Sequence, residues 1–289
     1  MASVRQIRQR IRSVKNTARV TRAMQMVAAS KTRRSQERVA ATRPYAERLR
    51  TVMADLTRQA PPGETLHPLL TQRPVQRSLI VEITPDRGLC GGLPGNINRA
   101  TALHVLRSPV PVSLITIGKK GRDFMVRAGR DVKATFTDLG DRPSLVDTIA
   151  ITHLAERMFR EGEVDEVFLA YTRFVNTITQ EPAVTRVLPV DVGALAATNP
   201  GSATEYIYEP SASTVLGALA PRFLEVTFYA AILESIASEQ SARMVAMRNA
   251  TEAANDMVDE LTLQLNKARQ DSITKELLDI VGGVAALEG

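Results

Sequence analysis

RFLEVTFYAAILESIASEQSARMVAMRNATEAANDMVDELTLQLNKARQDSITKELLDIV, residues 222–281, contains neither glycine nor proline. The same is true of MASVRQIRQRIRSVKNTARVTRAMQMVAASKTRRSQERVAATR, residues 1–43, at the other end. The chain has 16 Gly and 15 Pro in 289 residues, so about 11 would fall in these two stretches by chance. Glycine weakens a helix interior through backbone entropy, and proline through a lost N–H and a steric clash. The two runs therefore predict two long helices, on the order of 65 and 90 Å at about 1.5 Å per residue. A compact domain of this size needs nothing so long, which points to a mechanical or bridging part.

Both runs carry a seam. Val4, Ile7, Ile11, Val14, Ala18, Thr21, Gln25 and Ala28 are spaced alternately by three and four residues, with Gln25 as the polar exception. Met244, Met247, Thr251, Ala254, Val258, Leu261, Leu265 and Ala268 follow the same rule, and the seam then steps over to Ile273, Leu277, Ile280, Val284 and Leu287. Such heptads predict an antiparallel two-helix coiled coil, provided the intervening chain returns to its start. Many seam positions are Ala or Thr, so the pair should be slim and bury little area per turn. Met24, Met26, Met244 and Met247 are flexible gap-fillers that fit either a core or an adaptable surface.

The middle reads as an α/β layer. Strands are expected at residues 78–84 (SLIVEIT), 110–117 (VPVSLITI), 132–137, 166–171 and 184–190. Helices are expected at 96–106, 120–128 and 144–160. Alternation of this kind implies a mainly parallel, Rossmann-like sheet. The expected division is an N-terminal coiled-coil helix at 1–60, a central α/β domain at 74–195, and a C-terminal coiled-coil helix at 210–289 that pairs with 1–60. A linker is expected at 61–71, a loop at 196–202, a helix start at Pro210 and an early kink at Pro221.

Composition narrows the function. One Cys excludes an internal disulfide framework and fits a reducing compartment. No apolar run reaches the roughly 18 residues of a membrane span. The net charge of +6 hides an asymmetry: residues 1–50 hold fourteen Lys and Arg against two Glu. Such a segment needs an anionic neighbour or ample water.

Residues 86–95 (DRGLCGGLPG), from Asp86 to Gly95, follow the first strand and precede a helix, where a phosphate loop would sit. The match fails in detail, with no GxGxxG and no GxxxxGK[ST]; a glycine-rich turn needing positive φ is the default. Cys90 has no nearby His or second Cys and reads as a buried small hydrophobe. His67, His104 and His153 show no metal spacing. No nucleophile elbow frames the serines. The basic arm lacks the interleaved aromatics, helix-turn-helix pattern or zinc-finger spacing of a nucleic-acid binder. It also lacks the Trp, Phe and Leu of a membrane-surface helix. No catalytic residue, metal or cofactor is expected.

Taken together the residues resemble the gamma subunits of F-type ATP synthases, the rotor shafts, in their bacterial form and over nearly the whole chain. The blocks that carry the resemblance are Ile7 and Arg8 with residues 13–17 (SVKNT), then 21–31 (TRAMQMVAASK) and 43–46 (RPYA). Further on come 86–92 (DRGLCGG), 238–247 (SEQSARMVAM), 266–270 (NKARQ) and 273–276 (ITKE). One departure is Val284 after Gly283, where the family usually has Ala. The extra cysteine-bearing segment of the chloroplast form is missing, so thiol control of that type is not expected.

The resemblance implies a mechanism and a set of contacts. Paired terminal helices would stand inside a ring of three alpha and three beta subunits. The α/β domain would sit nearer the membrane rotor, touching the epsilon subunit and the c ring. Proton flow would turn the shaft, and each beta subunit would meet a different face and take a different nucleotide affinity. The chain would be a non-catalytic, peripheral part of the complex on the cytoplasmic face of the plasma membrane, without a span of its own and without nucleic acid. By motif, Arg269, Gln270 and Thr274 would form a polar catch on a beta-subunit loop. Met24 would face the beta-subunit lever, whose acidic character would suit Arg22 and Lys31. Tyr206, Tyr208 and Glu209 would contact the c ring. Two other readings compete: a small nucleotide-binding α/β enzyme using Asp86 to Gly95, and a basic coiled-coil module for nucleic acid.

Overall fold

The computed structural model describes residues 3–59, 67–191, 208–209 and 211–285. Its elements run α1 (Val4–Gln59), a 3-10 turn (Pro68–Leu70), β1 (Ser78–Ile83), α2 (Leu93–Arg107), β2 (Val112–Ile117), α3 (Lys119–Arg127) and β3 (Asp131–Phe136). They continue with α4 (Leu145–Arg160), β4 (Glu166–Phe174), β5 (Gln180–Leu188) and α5 (Ala212–Ala285). Two units are distinguishable: Ala29–Arg243, and Met1–Ala28 with Met244–Gly289.

In the first unit the five strands lie in the order β3-β2-β1-β4-β5. β1 is parallel to β2 and β4, and β2 is parallel to β3. β5 runs antiparallel to β4. The sheet is thus Rossmann-like over four strands, with an antiparallel edge added. β5 starts four residues before the expected strand, at Gln180, with Glu181 and Pro182 exposed. Pro182 sits in it, which only an edge strand tolerates. Every residue of β1 is buried, as befits a central parallel strand covered on both faces.

One face packs Ile80, Leu114 and Ala170 against Ile97 of α2 and Met125 of α3. The other packs Leu79, Val81, Ile115, Val167 and Leu169 against three helices. Those helices contribute Met53 and Leu56 from α1, Ile151 and Phe159 from α4, and Leu224 and Phe228 from α5. By composition α5 is apolar enough over one 18-residue window to cross a membrane. That apolarity is used within the unit, since Leu224, Val226, Phe228, Ile232 and Leu233 are all buried in it.

Prolines interrupt neither long helix. α1 runs through Pro44 and α5 through Pro221. An interior proline costs about 3 kcal/mol. In α1 that cost is offset by the side chains just beyond it: Leu49, Met53 and Leu56 are buried, and each contributes about 1.5–3 kcal/mol. α5 begins at Ala212, with the Thr214 N–H donating to Ser211 Oγ at 3.2 Å. Pro210 and the loop at 196–202 lie outside the described residues.

In the second unit the heptad seam is the covered stripe. From Ser3 to Ala28 the seam residues are buried or half-buried, and every other position except Met24 is exposed. In α5, from residue 252 to 278, only Ala254, Val258, Leu261, Leu265 and Ala268 are covered. The hydroxyls of Thr21 and Thr251 meet at 2.7 Å in the buried seam. Counting outward from that pair in opposite directions sets Val4 across from Ala268, where coverage of α5 stops. The two chain ends therefore pair antiparallel. Ile273, Leu277 and Ile280 were expected to continue the seam, but they are 54%, 56% and 64% exposed. They lie past the start of α1, so no described residue of α1 stands opposite them. The Val284 side chain and Leu287 lie outside what is described.

Candidate functional site

The C-terminal edge of a parallel sheet, where the strand order reverses, is the usual ligand position of such folds. Here that point lies between β1 and β4, and the loop of residues 86–95 follows β1. Thr84, Pro85 and Asp86 line a cavity there, with Gly118 after β2, Asp138 after β3 and Thr172 on β4. Ile232, Ser235, Ile236 and Glu239 of α5 also line it. The remaining space is about 50 Å³. Ligand pockets run to roughly 300–1,000 Å³, so the space α5 leaves is too small for a nucleotide.

The loop itself is held by structural bonds. Asp86 accepts from the backbone N–H groups of Lys119 and Asp138, both at 3.0 Å, tying three loops together. Leu89 and Gly91 adopt positive φ. Arg243 of α5 donates to the Gly88 carbonyl at 3.2 Å and to Glu239 at 2.6 Å. Burial pushes the Glu239 carboxyl above its ordinary range, and Arg243 opposes that shift. Burial also raises the Cys90 thiol, which is the less reactive direction. Among the described residues no cluster of His, Cys, Asp and Glu could hold a metal.

The expected contact residues are not brought together into one site. Arg22 is exposed and Met24 half-buried on α1. Lys31 is already engaged: its ammonium pairs with Asp141 at 2.5 Å, and Gln240 of α5 donates to the other Asp141 oxygen at 3.0 Å. That engagement is a bond 110 residues away in sequence and left no local signal. Arg269, Gln270 and Thr274 are exposed on the stretch of α5 beyond Ala268. Tyr208 is half-buried and packs against the core, Glu209 is exposed, and Tyr206 lies outside the described residues.

A groove of about 360 Å³ runs beside Ala18 and Thr251, lined by Lys15, Arg19, Arg22, Asn255 and Asp259. Among the described residues, none of the seven cations from Arg5 to Arg22 makes an ion pair within the chain. The helix pair is rich in unpaired cations among the described residues, and the ligand edge of the sheet is filled.

A family model described as ATP synthase matches residues 3–287. The ATP synthase gamma chain of Dehalococcoides mccartyi is 54% identical over 287 residues, covering 99% of this chain and all of that one. This chain belongs to the ATP synthase gamma chain family. The gamma chain of Herpetosiphon aurantiacus is 50% identical, with 99% of each chain covered. Among solved structures, a chain of the central stalk and c-ring of the Tetrahymena thermophila mitochondrial ATP synthase matches with a TM-score of 0.63. It is 25% identical, with 80% of this chain and 99% of that one covered. A chain of the Euglena gracilis mitochondrial ATP synthase shares the fold with a TM-score of 0.68 at 19% identity, over 98% and 94% of the two chains. Gamma chains are non-catalytic rotor subunits. The nucleotide-enzyme and nucleic-acid readings are not favoured.

Proposed function

We propose that this chain is the central shaft of an F-type ATP synthase and couples rotation of a c ring to conformational cycling of the beta subunits. Its partners are the alpha–beta hexamer, the epsilon subunit and the c ring. The complex is membrane-associated, and the chain's own place is peripheral, on the cytoplasmic face of the bacterial plasma membrane. ATP chemistry belongs to the beta subunits. Energy passes as a difference in contact free energy between beta conformers that meet different faces of the shaft.

The observation that carries the reading is the unequal length of the paired helices. α5 continues past Ala268 as a single exposed helix, so the shaft is asymmetric at its end. Gln270 and Thr274, one helical turn apart, share a face there. With Arg269 they make the polar catch for a beta-subunit loop, since a guanidinium can hold a carboxylate at two points and release it when the face turns away. Arg22 and Met24 flank the same ring lower on the shaft. Lys31 acts first through Asp141 and only secondarily on a beta subunit. Tyr206, Tyr208 and Glu209, before the start of α5, form the c-ring contact. The domain division of 1–60, 74–195 and 210–289 follows the same division of labour.

Co-purification tests the proposal. The tagged full chain, expressed with its complex and solubilised gently from membranes, should bring down alpha, beta and epsilon subunits in fixed stoichiometry. Recovery of the chain alone, from membranes whose ATPase stays assembled, would sink it.

A further inference from the structure

β1 carries a glutamate that none of this explains. Glu82 stands at the centre of the sheet, between Thr116 of β2 and Ala170 of β4, and is fully buried. Neither carboxyl oxygen has a hydrogen-bond partner in the protein. It projects from the same side of β1 as Ile80, toward the α2–α3 face. Packing there is close: a Cβ at Gly121 of α3 would come within 2.7 Å of Glu82 Oε2.

The hydroxyls of Thr101 and Thr84 near it donate elsewhere. The Thr101 hydroxyl of α2 lies beside the carboxyl, but it donates to the Ile97 carbonyl at 3.0 Å. Thr84 donates to the Ile117 carbonyl at 3.0 Å and accepts from the Gly121 N–H at 2.8 Å. Thr116 pairs with Thr135 at 3.0 Å. Asn98, one turn before Thr101, directs its Nδ2 to the Lys120 carbonyl at 3.4 Å, which leaves its buried Oδ1 without a donor. The elements packed on the carboxyl present Thr101 from α2, Gly121 from α3, Thr116 from β2 and Ala170 from β4. None of these is charged. A carboxylate here would face lone pairs in a medium that does not solvate it, whereas a neutral acid could donate its proton to one of them.

We propose that Glu82 is a pH-operated latch: the fold holds it as the neutral acid, and its ionisation loosens the α2–α3 face of the sheet. Burial is the main cause of a folded-state pKa of about 7, against an ordinary 4.5. For a carboxyl raised in this way, the stabilisation is fully present below the unfolded pKa. It is lost as pH rises through the folded one. The window is therefore pH 4.5 to 7, and the latch is released on the alkaline side.

The test compares the wild-type full chain with Glu82→Gln, which keeps the shape and stays neutral. The readout is hydrogen–deuterium exchange of the α2 and β1 amides at pH 5.5 and pH 8.5, corrected for intrinsic exchange. Between these pH values the wild type is expected to lose protection relative to Glu82→Gln by at least tenfold, while the variant's protection stays level. Parallel behaviour of the two proteins would overturn the proposal. Should Glu82→Gln not fold, Glu82→Leu serves in the same comparison. A ¹³C titration of the wild-type Glu82 carboxyl gives an independent answer: a midpoint near 7 supports the latch, and one near 4.5 refutes it.

Discussion

Alanine at both Arg269 and Gln270 is expected to cut ATP-driven proton pumping by the assembled complex about 10- to 100-fold. The size of the loss follows from the chemistry of the catch. A hydrogen bond to a charged group contributes about 1.5–3 kcal/mol, and each 1.4 kcal/mol is a factor of ten. Both side chains are exposed on a helix that has no described partner beyond Ala268. Truncating them therefore removes nothing from the chain's own fold. Its helix content and melting temperature should stay at wild-type values, which separates a lost partner contact from a lost structure. Pumping at wild-type rate by the double variant would remove these residues from the mechanism.

Gly118→Ala is expected to destabilise the α/β unit by at least about 4 kcal/mol, a large part of the 5–15 kcal/mol available to a typical domain. Gly118 has φ +95°, which a side chain occupies only under strain of about 1–3 kcal/mol. The added Cβ would also stand 2.0 Å from the Thr84 carbonyl oxygen. Neither strand can give way easily. The Thr84 N–H donates to the Ile117 carbonyl at 2.8 Å, and the Gly118 N–H donates to the Phe136 carbonyl at 2.8 Å. Gly129→Ala is the control. Its φ is +66° with open space around the new Cβ, so only the conformational cost of about 1–2 kcal/mol applies. Thermal melts of both variants check the contrast. Equal losses would mean that the close approach at Thr84 does not matter.

The helix pair was legible because its signal is local and periodic. Every seam residue from Val4 to Ala28 is covered, and almost nothing else there is. The seam's end was not legible. Ile273, Leu277 and Ile280 keep a heptad-like spacing, but whether they are covered depends on where the opposite helix begins. The sheet was readable from its β-rich runs, apart from the start of β5, where exposed Glu181 and Pro182 break the apolar pattern. Pro182 was the available sign that this strand lies on an edge.

The glycine-rich loop shows the other limit. Its motif already failed as a phosphate binder, but the physical reason that no ligand fits lies elsewhere. Ile232, Ser235, Ile236 and Glu239 come from about 150 residues downstream to fill the sheet edge, and local sequence cannot report that. Lys31 is similar: its charge was visible, while its pairing with Asp141 was not. Glu82 sits within SLIVEIT, where alternation alone would let it face water. Only a strand covered on both faces buries it.

The most direct measurement is rotation. Ile178, in the β4–β5 turn, is 83% exposed, whereas Cys90 is buried, so Ile178→Cys offers a selective attachment point for a probe. With the alpha–beta ring fixed to a surface and ATP supplied, the probe should turn stepwise in one direction. A probe that stays still while the same complexes hydrolyse ATP would contradict the account.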